Sequence, residues 1–340
     1  MLRLPRFELR QPRSLPEAVR ALAEAGPDAR VVAGGTDLLP NMKHELLRPP
    51  VVVSLGRIPE LVGIAEADDG SLVIGAMTPL AEVARSPLVA ARAPALAQAA
   101  GLVAGPQLRE RGTLGGNVLL DTRCQYYNQT WFWRSALGFC LKKDGSACHV
   151  VEGGSRCVAA ASADTQPVLM TLAASLVIEG PAGSRSLPVE ELLSHDGARP
   201  HRIAPGEILV LVRVPPLPAG HRGAYGKLRE RGAIDFPLLG VAARLDLGPN
   251  GAVEHADLVL TALAARPRRV SGVAGLLQGS LPGSASFESA VDRAAQAATR
   301  QCRALPSVPG DHEWRNEMIP VYVRRTLRAA AEGAGPVHHV

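Results

Sequence analysis

Val31-Val32-Ala33-Gly34-Gly35-Thr36-Asp37-Leu38 decides how this chain is read. An apolar strand over residues 30–33 breaks at a double glycine and runs into a threonine and an aspartate. Glycines let successive backbone N–H groups converge on an anion, and Thr36 adds a hydroxyl donor. Upstream, Ser14 is placed to cap a helix with apolar positions Leu15, Ala18, Val19 and Leu22. Glu17 completes a capping box and Gly26 ends the run. Downstream, residues 51–55 and 72–76 are strand candidates. Helix and strands alternating in this way predict α/β or α+β layering.

A second glycine turn, Thr113-Leu114-Gly115-Gly116-Asn117, repeats the logic with polar residues at both ends. Two such loops suit the two phosphates of one dinucleotide. Neither is G-x-G-x-x-G, so this is not an ordinary Rossmann site. Read singly, each loop is also what a plain turn looks like.

The 340 residues are 46% hydrophobic and 20% charged, an ordinary globular profile with length for two or three domains. The formal net charge of +5 is spread out, and no lysine and arginine run predicts nucleic-acid binding. No apolar stretch is long enough for a membrane span, and residues 1–20 carry seven charges without an apolar h-region. A cytoplasmic, reducing setting is therefore expected, in which metal or redox roles for cysteine outweigh disulfides.

Four of the five cysteines fall in one segment: Cys124, Cys140, Cys148 and Cys157. The same segment holds Tyr126, Tyr127, Trp131, Phe132, Trp133 and Phe139, half of the chain's three Trp, four Tyr and five Phe. Four thiolates suffice for a [4Fe–4S] cluster, aromatic cover limits water, and Arg134, Lys142, Lys143 and Arg156 offset negative charge. Structural zinc, two disulfides or four unrelated buried cysteines are the alternatives. Zinc sites usually show close C-x₂-C pairs, which are missing here. Cys302 reads as a small hydrophobe on an amphipathic helix.

Elsewhere the chain predicts helix over residues 80–104 and strands over 175–179 and 208–214. A Pro-rich linker at 215–220 is the best boundary. Strands over 241–247 and 253–263 flank Asn250-Gly251, a tight-turn signal in which both central residues take positive φ. Helices are expected over 270–277, 287–302 and 316–332, then a loose tail over 335–340.

The paired loops resemble the flavin-binding loops of the FAD subunits of the xanthine oxidase and carbon monoxide dehydrogenase family. The resemblance extends to Ile74-Gly75-Ala76-Met77-Thr78, Ala163-Asp164-Thr165, Tyr225-Gly226-Lys227 and the C-terminal hairpin with helices. It implies an α+β fold: a two-part FAD-binding domain of vanillyl-alcohol-oxidase (PCMH) type over 1–216, divided near residue 56, then a CO-dehydrogenase-flavoprotein-like domain over 221–332. It also implies that Val31 to Leu38 wrap the FAD pyrophosphate and that Thr113 to Asn117 complete the cradle. Asp164 and Lys227 would contact the cofactor, and Leu209 would pack near the flavin.

Most relatives pass almost directly from the second loop to the aspartate; here about forty residues intervene, over roughly 120–160. That insertion, with cysteine spacings of 16, 8 and 9, resembles the [4Fe–4S]-bearing insertion of the 4-hydroxybenzoyl-CoA reductase branch. This resemblance implies a subunit binding FAD and [4Fe–4S], with a molybdopterin-binding large partner and a [2Fe–2S] small partner in an (αβγ)2 assembly. Ferredoxin electrons would drive reductive dehydroxylation on the large partner, and no acid–base catalyst is expected here. The alternatives are the FAD subunit of a molybdenum hydroxylase oxidising an aldehyde, purine or N-heterocycle, and a scaffold subunit with structural zinc.

Overall fold

The structure, a computed structural model, describes residues 2–338. Three sheets carry the fold. A parallel three-stranded sheet has the order Glu8–Arg10, Val51–Ser54, Arg30–Val32, and the helix Leu15–Ala25 packs on it through Ala18 and Leu22. Ser14 caps that helix by accepting the Glu17 N–H, and Gly26 closes it at φ +79°. The Glu17 carboxylate takes the Arg13 N–H, one residue before the position expected of a capping box.

A second, antiparallel sheet runs Ile64–Glu66, Leu72–Gly75, Ile208–Val214, Ser175–Gly180, Gly183–Pro188. The expected long helix over 80–104 is three short ones, Leu80–Arg85, Pro87–Arg92 and Pro94–Leu102. Pro87 and Pro94 cannot donate an N–H and restrict the residue before them, so each starts a new helix. Their alanine-rich faces bury against the second sheet in one continuous core.

The third sheet has the order Arg268–Arg269, Val253–Thr261, Leu239–Leu247, His221–Leu228, Val337–His338. Leu239–Leu247 is apolar on both sides because both are covered. The helices Ala285–Gln301 and His312–Glu332 pack on one face, and Ala242 joins the core of the second sheet on the other. The Asn250-Gly251 turn is longer than a two-residue hairpin: Gly248 donates to Ala252 O, and only Gly251 takes a positive φ. The tail is not loose up to His338, because Val337 and His338 pair in parallel with Gly226 and Lys227; the remainder of the tail, His339 included, lies outside the described residues. Cys302 caps the helix Ala285–Gln301 and is buried in the third-sheet core.

Candidate functional site

The first glycine loop follows the strand Arg30–Val32. Gly34 lies so close to the Arg111 carbonyl that any Cβ there would overlap it, and Gly35 sits at φ +75°, where glycine is favoured. Gly112 lies against the Thr36 hydroxyl. The fold thus sets the first loop against residues 111–112, immediately before the second. Among the described residues, no backbone acceptor takes the N–H groups of Gly34, Gly35, Thr36 and Asp37. They form the kind of donor cluster that suits an anion.

The second glycine run is not an open loop. Thr113 caps a one-turn helix, Leu114–Val118, by accepting the Gly116 N–H at 3.1 Å. Leu114 donates to Thr78 O, Gly115 to Ala76 O and Asn117 to Thr113 O. The N–H groups of Leu114, Gly115, Gly116 and Asn117 are therefore taken by acceptors within the protein. Gly115 is required by packing, since a Cβ there would meet the Ala76 Cβ at 2.7 Å. Gly116 is exposed, and the Asn117 amide oxygen accepts from the Thr165 N–H and hydroxyl. The element supplies a surface and an anchor beside the first loop.

Asp164 and Lys227 find each other. The ammonium lies 3.1 Å from the Asp164 carboxylate and also donates to Leu102 O and Asp235 O. Tyr225 Oη donates to the same carboxylate at 2.9 Å. Both charged groups are fully buried. Burial pushes the Asp164 carboxyl up, against the pull of Lys227 and the Tyr225 hydroxyl. Each ammonium hydrogen has a protein acceptor, and the pair joins Asp164, at the head of the helix Thr165–Thr171, to the third sheet. Leu209 is buried in the second-sheet core, beside Val210, whose carbonyl accepts the Ala76 N–H.

Asp37 and Arg123 form an ion pair that the sequence reading did not single out. Burial pushes the Asp37 carboxyl up and Arg123 opposes it. The guanidinium also lies 4.3 Å over the Phe236 ring, and its Nε is buried without a partner. These residues are 86 positions apart, so no spacing rule could have linked them.

Cys124, Cys140, Cys148 and Cys157 line one narrow cavity of about 20 Å³, together with Tyr126 and Tyr127. Three of the four are buried and Cys148 is half-exposed; all five cysteines are free thiols, so the disulfide alternative is not realised. Burial pushes the Cys157 thiol up to about 11 and raises that of Cys124. Among the described residues, no group of three or more His, Cys, Asp or Glu is drawn in around a single metal ion. One tetrahedral zinc, with Zn–S of about 2.3 Å, needs thiolates tighter together than a four-iron cluster does. One cation, Lys142, lines the cavity. Lys142 is 4.5 Å over the Tyr127 ring and donates to Asp121, and buried Arg134 keeps Nε and Nη1 without partners. The four thiols, the lining Lys142 and the aromatic cover have the chemistry that an anionic iron–sulfur cluster needs. A wider groove of about 370 Å³, between Arg48 and Trp131, touches neither glycine element.

A fold with these elements is that of a flavoprotein serving a molybdenum enzyme. Residues 5–217 match the FAD binding domain in molybdopterin dehydrogenase, and residues 224–330 match the CO dehydrogenase flavoprotein C-terminal domain. The chain belongs to the CO dehydrogenase/xanthine oxidase family of FAD-binding medium subunits. It is 33% identical to the carbon monoxide dehydrogenase medium chain of Hydrogenophaga pseudoflava over 96% of this chain and 97% of that one. It is 32% identical to the aldehyde oxidoreductase FAD-binding subunit PaoB of Escherichia coli (strain K12), over 76% and 82% of the two chains. Among solved structures, that of the Hydrogenophaga pseudoflava carbon monoxide dehydrogenase superposes with a TM-score of 0.79 at 31% identity. It covers 98% of this chain and 100% of the other. No helix among the described residues is long and apolar enough to cross a membrane.

Proposed function

We propose that this chain is the electron-transfer subunit of a molybdenum hydroxylase-type complex that oxidises its substrate on a partner chain. FAD would lie against the first glycine loop, and a [4Fe–4S] cluster would be held by Cys124, Cys140, Cys148 and Cys157. The cluster reading rests on one observation: four cysteines spaced 16, 8 and 9 residues apart line a single cavity. The oxidative direction is supported by relatives named as carbon monoxide dehydrogenase and aldehyde oxidoreductase subunits.

When bound, the two groups would carry electrons between the partner chains and an external carrier. This chain's own residues bind and orient. The N–H groups of Gly34 to Asp37 are placed to accept a diphosphate. Gly116 leaves the neighbouring surface open, whereas Gly115 and Leu114 hold it in place. Lys142 brings positive charge to the cysteine cavity, and Tyr126 and Tyr127 restrict water there. No side chain is assigned a proton-transfer role. The partners would be a molybdopterin-binding large subunit and a [2Fe–2S] small subunit.

A second reading has a specific observation behind it. The cysteine insertion favours reductive dehydroxylation of 4-hydroxybenzoyl-CoA with a ferredoxin donor, the cluster being the entry point. Iron and acid-labile sulfide analysis of the anaerobically purified chain tests the cluster in both readings. Four of each per chain are expected, with loss of both in Cys148→Ala; zinc without sulfide would overturn the cluster. Flavin absorbance separates the directions. Bleaching of the complex by an aldehyde, purine, N-heterocycle or carbon monoxide supports oxidation. Reoxidation of the pre-reduced complex by 4-hydroxybenzoyl-CoA supports the reductase.

A further inference from the structure

The first glycine loop and the cysteine segment meet at one residue, Arg123. Its main chain pairs with Ala160 in both directions, Arg123 N to Ala160 O at 2.8 Å and Ala160 N to Arg123 O at 2.7 Å. That bridge closes the base of the segment: Cys124 follows Arg123 directly, and Cys157 lies three residues before Ala160. The far side of the base is anchored, since Ala161 exchanges backbone hydrogen bonds with Ala262 and Ala264. The Arg123 side chain leaves the segment and binds the Asp37 carboxylate at the end of the glycine loop. Phe236 covers the guanidinium from the third-sheet side. The second Asp37 oxygen accepts from Asn41 Nδ2 at 3.1 Å, so both carboxylate oxygens are committed. Among the described residues, Arg123 is the one cation paired with Asp37, and it is covalently next to a cysteine of the cavity.

We propose that the Asp37–Arg123 pair is a positioning device that transmits occupation of the cysteine cavity to the flavin loop, so that the chain holds FAD tightly only when the cavity is filled. This rests on the cluster reading above. A group bound by Cys124 and Cys157 fixes both ends of the segment at the Arg123–Ala160 bridge. The guanidinium is then held at one distance from the glycine loop, and the N–H groups of Gly34 to Asp37 keep the arrangement that accepts a diphosphate. With the cavity empty, two cysteine anchors of the base are lost, and the Asn41 amide is the side-chain donor that still holds the Asp37 carboxylate in place. No electron passes through the pair in this scheme; Arg123 acts on the flavin through Asp37.

The test is a double-mutant cycle on the full chain, reading the Kd for FAD by flavin fluorescence, the visible circular dichroism of bound flavin, and iron per chain. Arg123→Gln should weaken FAD binding about tenfold, as expected for loss of a charge-assisted, partly buried hydrogen bond, while iron is retained. Cys148→Ser, which leaves the pair untouched, should lose iron, weaken FAD binding to a similar extent and change the flavin dichroism. In the Arg123→Gln background it should then add little. Arg123→Lys should restore part of the affinity. Independent, multiplying effects would overturn the coupling, as would a Cys148→Ser chain with wild-type FAD affinity. A wild-type chain without iron and sulfide would instead overturn the cluster reading, and the coupling with it. If Arg123→Gln does not fold, Asp37→Asn takes its place in the cycle.

Discussion

Replacing Lys227 by Met removes a charge from a site with no exposure to water and keeps most of the side-chain volume. Three acceptors lose their donor: the Asp164 carboxylate, Leu102 O and Asp235 O. Breaking a buried ion pair from one side costs about 3–5 kcal/mol, because the remaining charge is stranded. Asp164 can escape part of that by staying protonated, since only the Tyr225 hydroxyl would then stabilise its charge. Its folded-state pKa, already raised by burial, would rise further above the unfolded value of about 3.9. The sign follows. A raised folded pKa leaves stability intact below the unfolded pKa and removes it as pH climbs toward the folded one. Lys227→Met should therefore lose least near pH 4 and progressively more toward pH 8, by up to about 1.4 kcal/mol per pH unit. Urea denaturation of the flavin-free chain across that range measures it. The pair Asp164→Asn with Lys227→Met should recover much of the loss. A Lys227→Met chain of unchanged stability that nevertheless fails to bind FAD would refute the structural role and favour direct cofactor contact.

Three further outcomes can be checked directly. Gly34→Ala should abolish FAD binding and destabilise the chain, since its Cβ would collide with the rigid Arg111 carbonyl; Gly116→Ala, meeting only the Thr113 hydroxyl at 3.0 Å, should fold with near-normal stability. Equal behaviour of the two in thermal melts would count against the assigned packing. Gly115→Val should lose soluble protein rather than flavin alone, because it clashes with Ala76; a stable, flavin-free Gly115→Val chain would show that a phosphate, not Ala76, occupies that space. In the metal-free chain, alkylation of Cys157 should rise with a midpoint near pH 11, and the burial that raises its pKa should cost the fold stability as pH passes upward through that range. A midpoint near the free thiol value of about 8.5 would mean that the apo cavity is open to water.

Much of this protein was legible without coordinates because its signals are local. Ser14 and Gly26 bound a helix through caps that act within a few residues. The strand at 208–214 was readable from its run of apolar and β-branched residues, and Cys302 from its apolar setting. Gly34-Gly35 marked a special backbone, and four cysteines within one segment marked a shared pocket. Local reading failed where a distant partner decided. Thr113 to Asn117 has the composition of an open anion loop, but Thr78 and Ala76 take its donors and turn it into a helix start. Val337 and His338 have no strand signal of their own; the free edge of His221–Leu228 recruits them. Asp164 and Lys227 are 63 residues apart, and only folding brings them into one dry site where each must neutralise the other. Sequence alone determined which residues have the chemistry to hold a dinucleotide and a four-thiolate group. The tertiary structure decided which backbone donors remain free for it, and it joined the two sites through Asp37 and Arg123, because long-range contacts, not local propensity, assign partners to buried polar groups.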